Sequence, residues 1–190
     1  AAHTVLPRLA RRFIEERPQV HVDLREMAPD LLPDAVLTGR FDAAISFDPG
    51  PLRGLSARVI HEEPLCLALP PGHRLAARET VAAADLAGES LIGPLADTAM
   101  SLRETVLAYC RSGGVAASFR LEAQMQQTIL SLVAEALGVA IVPESMSRLG
   151  LTGVMFRPLD KAPSVAHVLL WRPENPNPTL RPFLNAAGIP

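Results

Sequence analysis

Hydrophobic positions alternate between helical stripes and short apolar runs, and one combination occurs twice. Leu31 to Thr38 reads as an amphipathic helix, then Gly39 and Arg40, then the apolar strand Phe41 to Phe47. Met125 to Ala136 repeats the pattern, followed by Leu137, Gly138 and the strand Val139 to Val142 before Pro143. Strands apolar on both faces predict buried parallel sheets covered by helices. Ligands in such sheets bind beyond the carboxyl ends of the strands. Two copies far apart in 190 residues predict two small α/β lobes with a cleft between them.

The remaining pattern fits an α/β chain. Val5, Leu6, Leu9, Ala10, Phe13 and Ile14 form one helical stripe, capped by Thr4 and stopped at Arg17-Pro18. Val20, Val22 and Leu24 alternate with polar residues and predict a strand; Asp30 is the expected cap of the next helix. Leu55–His61 and Pro64–Leu69 read as two strands, and the alanine-rich stretch Arg74–Leu86 as holding a short helix. Ser90-Leu91-Ile92 is a brief strand, and Ser101-Leu102-Arg103-Glu104 has capping-box spacing for a helix running to Arg111. Then come strand Phe119–Leu121, the second repeat unit, a short helix Pro143–Leu149, and strands Val154–Leu159 and Val165–Trp171. Thr179 is the expected cap of a final helix, Leu180–Ala187. Leu65–Leu69 and Phe156–Asp160 are the expected crossings between lobes.

Composition narrows the class. The chain is 48% hydrophobic and 20% charged, enough to bury a core, and its net charge is −2, which supplies no phosphate-binding surface. The basic cluster Arg8, Arg11, Arg12 and Arg17 is interleaved with Glu15 and Glu16 and reads as a solvated helix face. Cys66 and Cys110 sit in apolar surroundings as small buried hydrophobes, and two cysteines make no disulfide framework, which favours a reducing cytoplasm. No run is long enough to span a bilayer and no signal peptide is visible. The chain opens at Ala1 directly on a helix, and we read it as a fragment lacking its upstream part.

Candidate chemistry is that of binding. The five histidines, His3, His21, His61, His73 and His167, have no metal-ligand spacing, and no nucleophile elbow, P-loop or dinucleotide fingerprint is present. Arg103 and Glu104 read as surface charges. Helix N-termini favour anions. Those opened by His3 and Thr4, and by Thr98 to Ser101, are candidates to clamp a small carboxylate; Thr4 and Ser101 also read as plain caps, and the two roles coexist. Gln124, Gln126 and Gln127 either reach the cleft or form a solvated helix start. Ser46 and Phe47 end a strand where ligands sit, and Phe47 reads equally as core.

An ordered set of motifs now carries a resemblance. His3-Thr4-Val5-Leu6-Pro7-Arg8-Leu9, Phe13, Pro18 and Val20-His21-Val22-Asp23-Leu24 resemble the opening of the effector-binding domain of LysR-type transcriptional regulators. Gly39-Arg40-Phe41-Asp42-Ala43-Ala44-Ile45, Pro70-Pro71-Gly72-His73-Arg74-Leu75 and Asp85-Leu86-Ala87-Gly88-Glu89 are similar to later segments of that domain. So are Leu132 to Pro143 and Asn177 to Leu184. Within the family the chain looks closest to the branch regulating aromatic-compound breakdown.

The resemblance implies a periplasmic-binding-protein type II-like fold: two Rossmann-like lobes joined by two hinge strands, 1–66 with 160–190 and 67–159, the N-terminal DNA-binding domain being absent. It implies a cytoplasmic sensor, not an enzyme, that binds a small carboxylate or aromatic acid in the inter-lobe cleft. It further implies a dimer or tetramer built through the first helix and following strand, near Arg8, Arg11 and Arg12, and contact with DNA only through the absent domain, with no membrane partner. The implied effector contacts are His3, Thr4, Pro29, Ser46, Phe47, Thr98, Ala99, Met100, Ser101 and Gln124; no cofactor or metal is implied. Three departures stand out. The fold's first strand, expected before Ala1, is absent; Pro29 replaces a frequent hydroxyl residue; and Ala136 replaces a common glycine. A periplasmic solute-binding protein shares the two-lobed plan and is the alternative, which a signal peptide in the full gene would favour. An enzyme on the same fold is the third reading, without a convergent catalytic set to support it.

Overall fold

The computed structural model describes residues 5–190, so the cap expected at Thr4 lies outside the described residues. Helix α1 (Val5–Glu16) buries Leu9, Ala10 and Phe13. On its other face Arg11 and Arg12 pair with Glu15 and Glu16, exposed contacts that add little stability. The solvated basic face is therefore as the charge pattern predicts. The alternation after α1 yields no strand: residues 20–28 carry no ladder. A strand needs a partner for its backbone groups, and apolar alternation alone supplies none. Val20 and Val22 still pack against Leu9 and Phe13, whereas Leu24 is 54% exposed.

Pro29–Leu31 forms a 3-10 turn ahead of α2 (Leu32–Leu37). Asp30 does not cap it: Ala28 and Leu31 hold the cap positions, because Pro29 starts the turn one residue early. Gly39 follows at φ +76°, the left-handed geometry that glycine adopts freely. Strand β1 (Ala43–Phe47) then pairs antiparallel with β7 (Ser164–Trp171), from Ala43 opposite Trp171 to Phe47 opposite His167. Among the described residues β1 has no parallel neighbour. Both faces of β1 are nevertheless covered: Ala44 packs with Leu32 and Val36 of α2, and Ile45 with Leu180 and Leu184 of α5 (Leu180–Ala186). Helices on both faces suffice for a two-sided apolar strand, whatever its direction. Phe13 of α1 meets Phe183 of α5 edge to face at 5.3 Å. Thr179 holds the N-cap position of α5 without a side-chain bond to the helix; Asn177 Oδ1 accepts both the Thr179 N–H and hydroxyl, at 3.0 and 2.7 Å.

The two strands expected around residue 62 are one, β2 (Ser56–Leu69). Pro64 faces solvent, where its missing N–H costs the ladder least, and Leu65 N–H resumes pairing with Pro163 O at 2.8 Å. The chain divides into two compact units at Glu62/Glu63, inside β2, and at Val165/Ala166, inside β7. Both crossings are therefore strands. Neither expected segment crosses: Leu65–Leu69 and Phe156–Asp160 both lie inside the second unit, where β6 (Met155–Pro158) pairs with Cys66–Leu69.

In the second unit β3 (Leu91–Pro94) and β4 (Phe119–Ala123) are parallel. Strand β5 (Ala140–Pro143) joins the other side of β3 through a parallel bridge between Leu91 and Val139, and pairs antiparallel with β2. Here the parallel expectation holds in part. Helix α3 (Met100–Ser112) links β3 to β4, and α4 (Gln126–Ala134) links β4 to β5. Helix α4 buries Ile129, Leu130 and Val133 against Cys66, Ile92 and Val142, and each such side chain contributes about 1.5–3 kcal/mol. Residues 74–86 form two 3-10 turns, Arg74–Ala77 and Ala83–Leu86, in place of an α-helix, and Glu144–Leu149 is likewise 3-10. Side chains cap the starts of the first two turns: His73 Nδ1 accepts Leu75 N–H and Asp85 accepts Ala82 N–H.

Candidate functional site

Parallel pairing brings the carboxyl ends of β3 and β4 together, Pro94 lying opposite Ala123. The loop at residues 95–99 leaves β3 there, and Gln124 leaves β4, exposed in the bend before α4. The path from β3 runs first to β4 and then to β5 on the opposite side, so this loop leaves the central strand where the strand order reverses. That is where open α/β sheets bind ligands.

The predicted capping box does not form. Ala99 is the N-cap of α3, left-handed at φ 49° and ψ 49°, and Ser101 falls inside the first turn, where its carbonyl accepts the Thr105 hydroxyl at 2.8 Å. A left-handed non-glycine residue costs about 1–2 kcal/mol. The first intrahelical bond is Arg103 N–H to Ala99 O at 3.1 Å, so the amides of Met100, Ser101 and Leu102 precede the ladder at the positive end of the helix. Thr98 is buried; its hydroxyl donates to Asp97 Oδ1 at 3.3 Å and its N–H to Leu95 O at 3.1 Å. Met100 is 60% exposed. The structure therefore gathers Thr98, Ala99, Met100, Ser101 and Gln124 at one end of two neighbouring strands.

Arg103 is not the free surface charge expected. Its Nη1 donates to Pro94 O at 2.7 Å and to Glu122 Oε1 at 2.6 Å, and its guanidinium lies 4.6 Å above the Phe119 ring. Gly93 is what admits this stack, since a Cβ there would run into the Phe119 ring. Arg103 has partners at 94, 119 and 122, and no local pattern announces such a set.

In the first unit Ser46 and Phe47 end β1. Ser46 is buried and Phe47 half-buried. The Phe47 ring lies 5.0 Å from that of His167, which stacks on His61 at 5.9 Å and 17°. The inward alternation of Val165–Trp171 was the only sequence signal for His167. Pro29 opens the turn before α2, the helix that packs on β1. His3 and Thr4 lie outside the described residues.

Other chemistry finds no assembly among the described residues. No three His, Cys, Asp or Glu side chains come together to hold a metal ion. Both cysteines are free and buried, and desolvation pushes the Cys66 thiol up to about 12, far from a reactive thiolate. Asp48 Oδ1 accepts Gly50 N–H and only shapes its own loop. No helix is long and apolar enough to cross a membrane.

Two α/β units joined by crossing strands define the class: a two-lobed domain of the periplasmic-binding-protein type II kind. The model of the LysR substrate-binding domain matches residues 1–188, and the chain belongs to that family. It is 27% identical over 189 residues to the HTH-type transcriptional regulator AlsR of Bacillus subtilis, covering 99% of this chain and 63% of AlsR. It is 32% identical over 188 residues to the HTH-type transcriptional regulator IlvR of Caulobacter vibrioides, covering 97% of this chain and 62% of IlvR. The chain thus spans less than two thirds of either regulator. The BenM effector-binding domain with its effector benzoate superposes at a TM-score of 0.80 and 20% identity, covering 98% of this chain and 86% of that one.

Proposed function

We propose that this chain is the effector-binding and oligomerisation domain of a LysR-type bacterial transcriptional regulator, and that its effector is a small carboxylate, an aromatic acid first among them. The observation that carries this reading is the placement of Thr98–Ser101 and Gln124 at the shared carboxyl ends of β3 and β4, beside the first-turn amides of α3. Those amides and the helix dipole favour an anion. Ser46, Phe47 and Pro29 are the proposed contacts from the first unit, with Phe47 offering a ring face to a flat ligand. The BenM complex with benzoate supports an aromatic acid by likeness of fold. In the full-length protein a DNA-binding domain upstream, self-association near α1 and a cytoplasmic location follow from the same family reading.

Effector binding acts by favouring one arrangement of the domain over another. The test is a thermal-shift series of the domain against benzoate and small aliphatic acids. A specific acid raises the melting temperature with concentration, by about 2.7 kcal/mol of stabilisation at a hundred times its Kd. A flat response across the acids refutes the carboxylate reading. The relatives are transcriptional regulators, so the periplasmic alternative gains no support.

A further inference from the structure

Arg103 reaches two strands from one position on α3. Its Nη1 holds the carbonyl of Pro94, the last residue of β3, and Glu122 of β4, while its plane covers Phe119 at the start of β4. Pro94 is where the 95–99 loop begins, and Arg103 N–H bonds to Ala99, where it ends. The side chain therefore ties the start of that loop to β4, and the main chain of the same residue holds its end. Glu122 neutralises the guanidinium, and only 21% of the Arg103 side chain is exposed.

We infer that Arg103 is the positioning residue of the 95–99 loop, fixing the first turn of α3 against the strand ends without itself touching an effector. The inference rests on reading that loop as effector-binding. Left-handed Ala99 gives it physical content, because a strained non-glycine residue persists only where its surroundings over-determine it. The loop's internal bonds, Thr98 N–H to Leu95 O and Thr98 hydroxyl to Asp97, fix its shape but not its distance from β4. Arg103 supplies that distance. Lysine replaces this only in part: its ammonium can donate to both acceptors, but it has no planar face to stack on the Phe119 ring.

The test compares wild type, Arg103→Gln and Arg103→Lys by amide hydrogen exchange, and by benzoate titration of the same samples. Exchange at residues 96–102 accelerates roughly tenfold or more in Arg103→Gln and less in Arg103→Lys, while Ile129–Val133 and Leu65–Leu69 keep their protection. Benzoate affinity falls roughly tenfold in Arg103→Gln and recovers in part in Arg103→Lys. Exchange within twofold of wild type at 96–102, or acceleration spread evenly over the second unit, overturns the inference. If Arg103→Gln does not fold, Arg103→Lys is read by the same criteria. If no acid binds the wild type, the effector reading fails alone, and the exchange pattern still decides whether Arg103 positions the loop.

Discussion

The Glu63 carboxylate accepts the Ser145 backbone N–H at 2.7 Å and the Ser145 hydroxyl at 3.0 Å, and both residues are buried. Glu63 is the first residue of the second unit on β2, and Ser145 lies in the 3-10 turn that follows β5. The bond joins segments 82 residues apart in sequence.

Ser145→Ala removes the hydroxyl bond to the buried Glu63 carboxylate. A loss of about 1.5–3 kcal/mol is expected, read as a lower urea midpoint at unchanged slope. Glu63→Ala, which leaves the amide and hydroxyl both unmet, costs more. An unchanged midpoint in both variants would show the pair to be energetically idle.

Cys66 and Tyr109 set an alkaline limit. Burial pushes the Cys66 thiol from 9.0 up to about 12, and the nearby Glu144 and Glu63 add to it. Burial likewise raises Tyr109, whose hydroxyl contacts the Val81 and Asp160 carbonyls at 3.2 and 3.0 Å, to about 12. The folded state holds these protons more tightly than the unfolded chain. Their stabilisation is therefore complete below pH 9 and is lost as pH rises toward 12. Unfolding free energy should fall across that window by up to about 1.4 kcal/mol per pH unit from Cys66 alone. Cys66→Ala should flatten the slope, and the native thiols should resist a disulfide reagent at pH 8 until the protein unfolds.

Ala136 sits at φ 57°, where the first repeat unit has Gly39 at φ 76°. The left-handed backbone costs alanine about 1–2 kcal/mol, and glycine gives back about 0.5–1 kcal/mol in unfolded-state entropy. Ala136→Gly should gain roughly 0.5–1 kcal/mol, a rise of about 1–4 °C in Tm. A lower Tm would mean that the turn is not strained.

Strongly periodic elements were legible from the chain. Helix α4 and strand β5 announce themselves because Ile129, Leu130 and Val133 recur at helical spacing and Ala140–Val142 is apolar throughout. Features that depend on a partner were not. Val20–Leu24 alternates like a strand, but no ladder exists for it among the described residues. Leu55–His61 and Pro64–Leu69 read as two strands, yet β2 runs through both because the exposed Pro64 ring faces outward. Ser101 and Thr179 mark where helices start but make no caps; at α5 the bond falls to Asn177, two residues earlier. The site was legible as a segment, since 98–101 does open α3, while Arg103 and His167 gain their roles from contacts that no local spacing encodes.

The most direct measurement is an amide-resolved NMR titration of this domain with benzoate and small organic acids. Saturable shifts for one acid should concentrate on Thr98 to Leu102, Gln124, Ser46 and Phe47, with the α3 first-turn amides moving most. Saturable shifts centred elsewhere, or none with any acid, would contradict an anion held at the carboxyl ends of β3 and β4.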